Sequence, residues 1–161
     1  MVVFYRRMPR FEYLKPQRFD DVLELLQDST PNRYRVFAGG TDLMDQLKQR
    51  KIDVPETVID LKGVTELDFI NFDKSSGLRI GALTTVADVA KSPEIEEHYP
   101  ALAQGAREIA SIQIQNRATI TGNICNAVSS ADSAPPLLAL GAEVVCANRN
   151  GERTIKIEDF F

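Results

Sequence analysis

Gln113-Ile114-Gln115-Asn116-Arg117-Ala118-Thr119-Ile120-Thr121-Gly122-Asn123-Ile124 is the stretch on which the reading of this chain turns. Its counterpart lies much earlier, at Val36-Phe37-Ala38-Gly39-Gly40-Thr41-Asp42-Leu43. Each places small residues and backbone donors in a turn at the end of an apolar run. Two such turns can cradle a diphosphate from both sides, which points to a dinucleotide cofactor.

The earlier segment has a strand before it and a helix after it. Arg33 to Ala38 reads as the strand, and Asp42 to Arg50 as the helix, with Leu43, Met44 and Leu47 as its apolar face. Thr41 or Asp42 is the expected cap. Gly39-Gly40 permits positive φ and close approach of a ligand to the backbone. The N–H groups that open a helix favour an anion, and the Thr41 hydroxyl adds a donor. The pattern is neither G-x-G-x-x-G nor a P-loop. Alone it is equally a tight turn with no ligand.

In the later segment Thr119 and Asn123 flank Gly122. The Thr119 hydroxyl and the Asn123 amide can donate to phosphate oxygens, or they satisfy their own backbone in a turn. Asp132, within Ala127-Val128-Ser129-Ser130-Ala131-Asp132-Ser133-Ala134-Pro135-Pro136, can accept from ribose hydroxyls or cap the helix that follows.

Composition excludes several classes. A net charge of −4 argues against nucleic acid as the main partner. The first eighteen residues run against that sign, with Arg6, Arg7, Arg10, Lys15 and Arg18 against Glu12, as a solvated basic face or a docking surface for an acidic partner. One histidine, His98, and two cysteines, Cys125 and Cys146, are too few for a four-ligand zinc or iron–sulfur site. His98 is expected at the surface rather than in a catalytic triad. The cysteines read as small buried residues in a reducing compartment. Arg6 and Arg7 interrupt the opening apolar run, so no secretory signal is expected, and no apolar stretch reaches the ~20 residues of a membrane span. The expected location is the cytoplasm.

The chain divides into two α/β units, residues 1–55 and 56–161. In the first, Phe19 to Gln27 is a short helix capped by Asp20 or Asp21, and Pro55 ends the unit. In the second, Val58 to Leu61 is a buried strand, and Leu67 to Phe72 with Leu78 to Ala82 is a hairpin. Helices are expected from Val86 to Lys91, from Ala101 to Ala110 and near Pro136 to Leu140. Asn148-Arg149-Asn150-Gly151 turns between strands Glu143 to Ala147 and Thr154 to Ile157. Phe160-Phe161 wants cover, either from this domain or from a further one.

Ala38 to Leu43, Leu78-Arg79-Ile80-Gly81-Ala82-Leu83-Thr84-Thr85 and Gln115 to Ile124 occur here in order, between Phe11-Glu12-Tyr13-Leu14-Lys15-Pro16 and Asp159-Phe160-Phe161. In these features the chain resembles the FAD-binding subunit of molybdenum hydroxylases of the xanthine dehydrogenase, carbon monoxide dehydrogenase and 4-hydroxybenzoyl-CoA reductase type. The resemblance implies an α/β (α+β) fold, two small lobes with FAD between them, as in vanillyl-alcohol oxidase. It implies that Val36, Phe37, Ala38, Gly39, Gly40, Thr41, Asp42 and Leu43 wrap the diphosphate from one lobe. Thr119, Ile120, Thr121, Gly122 and Asn123 would do so from the other, with Asp132 at the adenosine ribose and Ile109 beside the flavin or adenine.

The implied role is electron transfer between iron–sulfur clusters of one partner subunit and an acceptor such as NAD. Substrate would be handled on a molybdopterin subunit, and no catalytic acid–base residue or metal is expected on this chain. The family usually carries a second glycine where Thr121 stands, which leaves Gly122 as the expected carrier of unusual backbone geometry. The family also continues past Asp159-Phe160-Phe161 into a third domain, expected to be missing here. The alternatives are another FAD-dependent reductase of the same fold and a flavin-free assembly or interaction domain.

Overall fold

The computed structural model describes residues 7–128 and 130–161. Arg6 of the basic run and Ser129 of the loop before Asp132 lie outside the described residues.

The first lobe alternates strand and helix: β1 (Glu12–Leu14), α1 (Phe19–Leu25), β2 (Tyr34–Phe37), α2 (Thr41–Gln49) and β3 (Thr57–Asp60). The strands form one parallel sheet in the order β1-β3-β2, with Val36 opposite Ile59 and Phe37 opposite Asp60. Parallel neighbours need a long crossover, and α1 and α2 supply them. β3 is central and buried at all four positions, as a strand covered on both faces must be. The expected division after residue 55 is therefore corrected: Val58 and Ile59 pair with both other strands, so β3 belongs to the first lobe. Pro55 ends only the loop that leads into it. The core of this lobe gathers Val22, Ile59, Leu61 and Val64, and reaches forward to Leu83.

Two expected caps are also corrected. Arg18, not Asp20 or Asp21, holds the cap position of α1 and makes no side-chain bond there. Both aspartates lie in the first turn, where their charge meets the positive end of the helix. Gly40 precedes α2 in place of Thr41 or Asp42.

Two 3-10 turns, Leu61–Gly63 and Thr65–Leu67, lead into the antiparallel hairpin of β4 (Ile70–Asp73) and β5 (Gly77–Ile80). Among the described residues six helices follow: α3 (Val86–Lys91), α4 (Pro93–His98), α5 (Pro100–Glu108), α6 (Ile112–Gln115), α7 (Ile120–Asn126) and α8 (Ala134–Ala139). The hairpin β6 (Glu143–Asn148) and β7 (Gly151–Lys156) closes the chain's described elements, before a 3-10 turn at Ile157–Asp159. The Asn148 side chain accepts from the Asn150 N–H at 2.8 Å and Gly151 takes φ +133°, which makes that turn tight.

The second core is built around Val86, Val89, Ile95, Leu102, Ala103, Ala106, Ile120, Ile124, Leu137 and Ile157. Burying each large aliphatic side chain contributes about 1.5–3 kcal/mol. Small residues on α5 serve close approach: a Cβ on Gly105 would stand 2.7 Å from the Asp132 carbonyl oxygen. Cys125 is exposed and Cys146 half-buried, both as free thiols, which corrects the expectation of two buried cysteines. Cys125 falls near the end of α7, past the turn that packs Ile120 and Ile124 inward. His98 is exposed and stacks on the Phe72 ring at 4.1 Å. Phe160 packs on the second core, whereas Phe161 stays half exposed. Among the described residues no helix is long and apolar enough to cross a membrane.

Candidate functional site

The two segments singled out in the sequence meet. Gly39 and Gly40 join β2 to α2, and each is glycine for a different reason. Gly40 has φ +77°, a left-handed conformation that side chains resist, and a Cβ there would run into the Phe37 ring. Gly39 is not left-handed, but it has no room. A Cβ would fall on the Arg117 carbonyl oxygen and within 2.8 Å of the Ala118 Cα. The backbone of the first lobe therefore lies directly on the loop that opens α7 in the second.

That loop is fixed from several sides. The buried Gln115 donates through Nε2 to the carbonyls of Arg107 and Ile109, each at 2.9 Å, tying α6 to the end of α5. The Ala118 carbonyl accepts from the Val86 N–H at 2.8 Å, and Thr119 bridges Thr85. Thr119 is extended, and its hydroxyl accepts from the Gly122 N–H at 3.0 Å, an N-cap. Thr85 caps α3 in the same way through the Asp88 N–H.

The expected turn at Thr119 is thus the start of a helix. Thr121 and Gly122 lie inside its first turn, and Gly122 is not left-handed. The expectation that Gly122 carries unusual geometry is corrected: the cap at Thr119 lets the chain enter ordinary helix, so no positive φ is needed.

The two helices are linked at two points. Their starts meet at Gly39 and Ala118, and further along Gln46 Nε2 donates to Asn126 Oδ1 at 3.3 Å. Both N-terminal ends, with their partial positive charge, therefore open near the lobe junction, and at α7 the Thr119 cap already takes the Gly122 N–H. Among the described residues neither the Gly39 nor the Gly40 N–H is spent on a backbone hydrogen bond. A cavity of about 60 Å³ adjoins the junction, with Ala38, Gly39, Lys62, Asn116, Arg117 and Thr119 in its wall.

The remaining candidates divide by exposure. Val36 and Asp42 are exposed, and Phe37, Ala38, Thr41 and Leu43 are half-buried along the first segment. Ile120 and Thr119, each 3% exposed, and Ile109, 6% exposed, are buried, Ile109 and Ile120 in the second lobe's core. Thr121 and Asn123 are half-buried. Asn123 Oδ1 accepts from the Ser133 hydroxyl at 2.5 Å, which draws the neighbouring Asp132, exposed, toward the start of α7 and leaves the Asn123 N–H donors available.

The sequence reading passes over Lys62. Its Nζ lies 2.7 Å from Asp60 Oδ1, 3.1 Å from the Ala38 carbonyl oxygen and 3.6 Å from the centre of the Phe37 ring. Asp60 is only 2% exposed and also accepts from the Tyr13 hydroxyl and the Lys62 N–H. Burial pushes the Asp60 carboxyl up, but the hydrogen bonds from Lys62 and Tyr13 outweigh it and hold the group below the ordinary carboxylate value. The signal was present: an aspartate ending a fully buried strand needs a partner, and a lysine stands two residues on.

Backbone donors from two segments at one lobe junction are chemistry that suits the diphosphate of a dinucleotide cofactor. Over residues 9–161 the chain matches the family described as FAD binding domain in molybdopterin dehydrogenase, and it belongs to that family. It is 33% identical to the nicotinate dehydrogenase FAD-subunit of Eubacterium barkeri over 96% of this chain and 51% of that protein. It is 36% identical to the putative xanthine dehydrogenase FAD-binding subunit of Escherichia coli over 92% of this chain and 50% of that one.

Among solved structures, a carbon monoxide dehydrogenase from Hydrogenophaga pseudoflava superposes with a TM-score of 0.88 at 33% identity, covering 94% of this chain and 52% of that one. Quinoline 2-oxidoreductase from Pseudomonas putida 86 gives 0.87 at 27% identity, covering 96% and 55%. The chain thus spans about half the length of the relatives it matches.

Proposed function

We propose that this chain holds FAD across the lobe junction as the electron-transfer module of a molybdopterin-dependent dehydrogenase. The observation that carries the reading is the contact of Gly39 with the Arg117–Ala118 backbone. It brings the free N–H groups of Gly39 and Gly40 to the same place as the opening of α7. Backbone donors from two lobes suit a diphosphate, which offers oxygens on both sides. The glycines keep the two segments close: a side chain at Gly39 would strike the Arg117–Ala118 backbone, and one at Gly40 would strike the Phe37 ring.

In this reading Gly39, Gly40, Thr41 and the first residues of α7 bind the diphosphate through main-chain N–H groups. Asn123 adds its amide donors, and Asp132 accepts from the ribose hydroxyls. FAD, when bound, exchanges electrons singly or in pairs. The chain orients it and offers no proton donor of its own. Iron–sulfur and molybdopterin centres belong to partner subunits, and NAD or another acceptor takes the electrons.

The test is titration of FAD into the purified protein, followed by quenching of flavin fluorescence. Saturable quenching with one FAD per chain is the expected result. Absence of quenching at micromolar FAD favours the flavin-free interaction domain instead.

A further inference from the structure

Resting on the FAD reading, we propose that Lys62 is a positioning residue that sets which way the Ala38–Gly39 peptide faces, and so makes the Gly39 N–H a donor for the diphosphate. An ammonium group has three N–H donors. Those of Lys62 meet three protein groups: Asp60 Oδ1 at 2.7 Å, the Ala38 carbonyl at 3.1 Å and the face of the Phe37 ring, 3.6 Å from its centre. A cation over an aromatic face is attracted to it. These contacts tie the ammonium to the protein at three points. Its lever is the Ala38 carbonyl.

The peptide is trans, and in a trans peptide the N–H points opposite to the C=O. Drawing the Ala38 oxygen toward Lys62 therefore turns the Gly39 N–H away from Lys62. Glycine is what makes such a lever necessary. With no Cβ, Gly39 accepts either sign of φ at little cost, so this peptide is free to flip unless something holds it. The holder must itself be rigid, and it is. Asp60 ends the central strand, is 2% exposed, and accepts from the Tyr13 hydroxyl of β1 as well as from Lys62. The clasp thus runs from β1 through β3 to the end of β2, all strands of the sheet, and ends on the one peptide whose orientation the site needs.

The experiment compares wild type with Lys62→Met, which keeps the length of the stem and removes the donors. Two quantities are read. One is FAD affinity by fluorescence quenching. The other is the Gly39 amide signal in a 15N–1H spectrum of the protein without FAD. The expected result is at least tenfold weaker FAD binding, with the Gly39 signal moved or split while signals of the second lobe stay in place.

Unchanged FAD affinity overturns the proposal. So does weakened affinity with an unmoved Gly39 signal, which would mean that Lys62 acts by charge alone. If Lys62→Met does not fold, Lys62→Gln is read by the same two measurements, with a smaller expected change in each. A wild-type protein that takes up no FAD sinks the functional reading but not the clasp, which the Gly39 signal tests by itself.

Discussion

The two segments that meet at the lobe junction reach the same end by opposite means. In the first, the backbone depends on glycine: Gly40 turns left-handed where a Cβ would strike the Phe37 ring, and Gly39 lies against the Arg117 carbonyl. In the second, nothing is unusual. Thr119 caps an ordinary helix, and Gly122 sits inside it with no demand on its φ. One site is made by conformational permission, the other by a hydrogen bond. A glycine in a sequence is therefore ambiguous until its neighbours are known. It can answer a torsion, as Gly40 does, or a space, as Gly39 does, or neither.

The sharpest way to break this comparison is Gly39→Ala. The new methyl group meets backbone atoms on the opposite lobe, which cannot swing aside as a side chain would. Overpacking a well-filled interior typically costs about 1–3 kcal/mol, and the upper end is expected here. The two lobes should separate at the junction, with FAD affinity falling more than a hundredfold. Urea denaturation and flavin quenching measure the two effects. A variant as stable as wild type would show that the loops do not touch in solution.

Thr119→Ala probes the other side. The hydroxyl is 3.0 Å from the Gly122 N–H and the residue is 3% exposed. Loss of an N-cap costs about 1 kcal/mol, and Thr119→Ser should restore most of it. The urea midpoint should fall for alanine and recover for serine. If both variants behave alike, the methyl group rather than the cap holds the start of α7.

A graded loss is expected from pH. Asp60 is held below its ordinary value, so its contribution is present above the unfolded carboxylate pKa, near 4, and is lost as pH falls through the folded value. Tyr13 behaves in the opposite sense. Its hydrogen bond to Asp60, with burial second, raises its pKa above 10, and that contribution is lost only as pH rises through the raised value. Stability measured from pH 5 to pH 3 should therefore decline less steeply in Asp60→Asn than in wild type. Parallel curves would mean that other carboxylates set the acid limit.

Much of this was legible in the sequence. The run Ala38 to Leu43 announced a strand, a break and a helix, and the structure has β2, Gly39-Gly40 and α2 there. The helix expected from Val86 to Lys91 is present over those residues. What could not be read was long-range. The division at Pro55 failed because a central parallel strand is paired by segments far away in sequence, and Pro55 looks the same before any strand. Lys62 was missed because its importance lies in meeting Ala38, twenty-four residues back. Cys125 was misjudged because exposure near the end of a short helix depends on what packs beside it, and Cys146 because the two-stranded hairpin that carries it is only partly covered.

Gly122→Ala should have the smallest effect, and its two readouts should part company. In an ordinary helix, alanine is favoured over glycine by up to ~1 kcal/mol. Against that, the new Cβ would sit 2.8 Å from Thr119 Oγ1, so the capping hydroxyl must shift and some of the cap is lost. These nearly offset, and the urea midpoint should move by less than the equivalent of about 0.5 kcal/mol. FAD binding is a different matter, because a cofactor that approaches the Gly122 main chain would meet the same methyl group. Weaker flavin binding at unchanged stability would assign Gly122 to ligand approach. A stability loss above ~2 kcal/mol would instead restore the torsional demand that the sequence suggested and the helix removed.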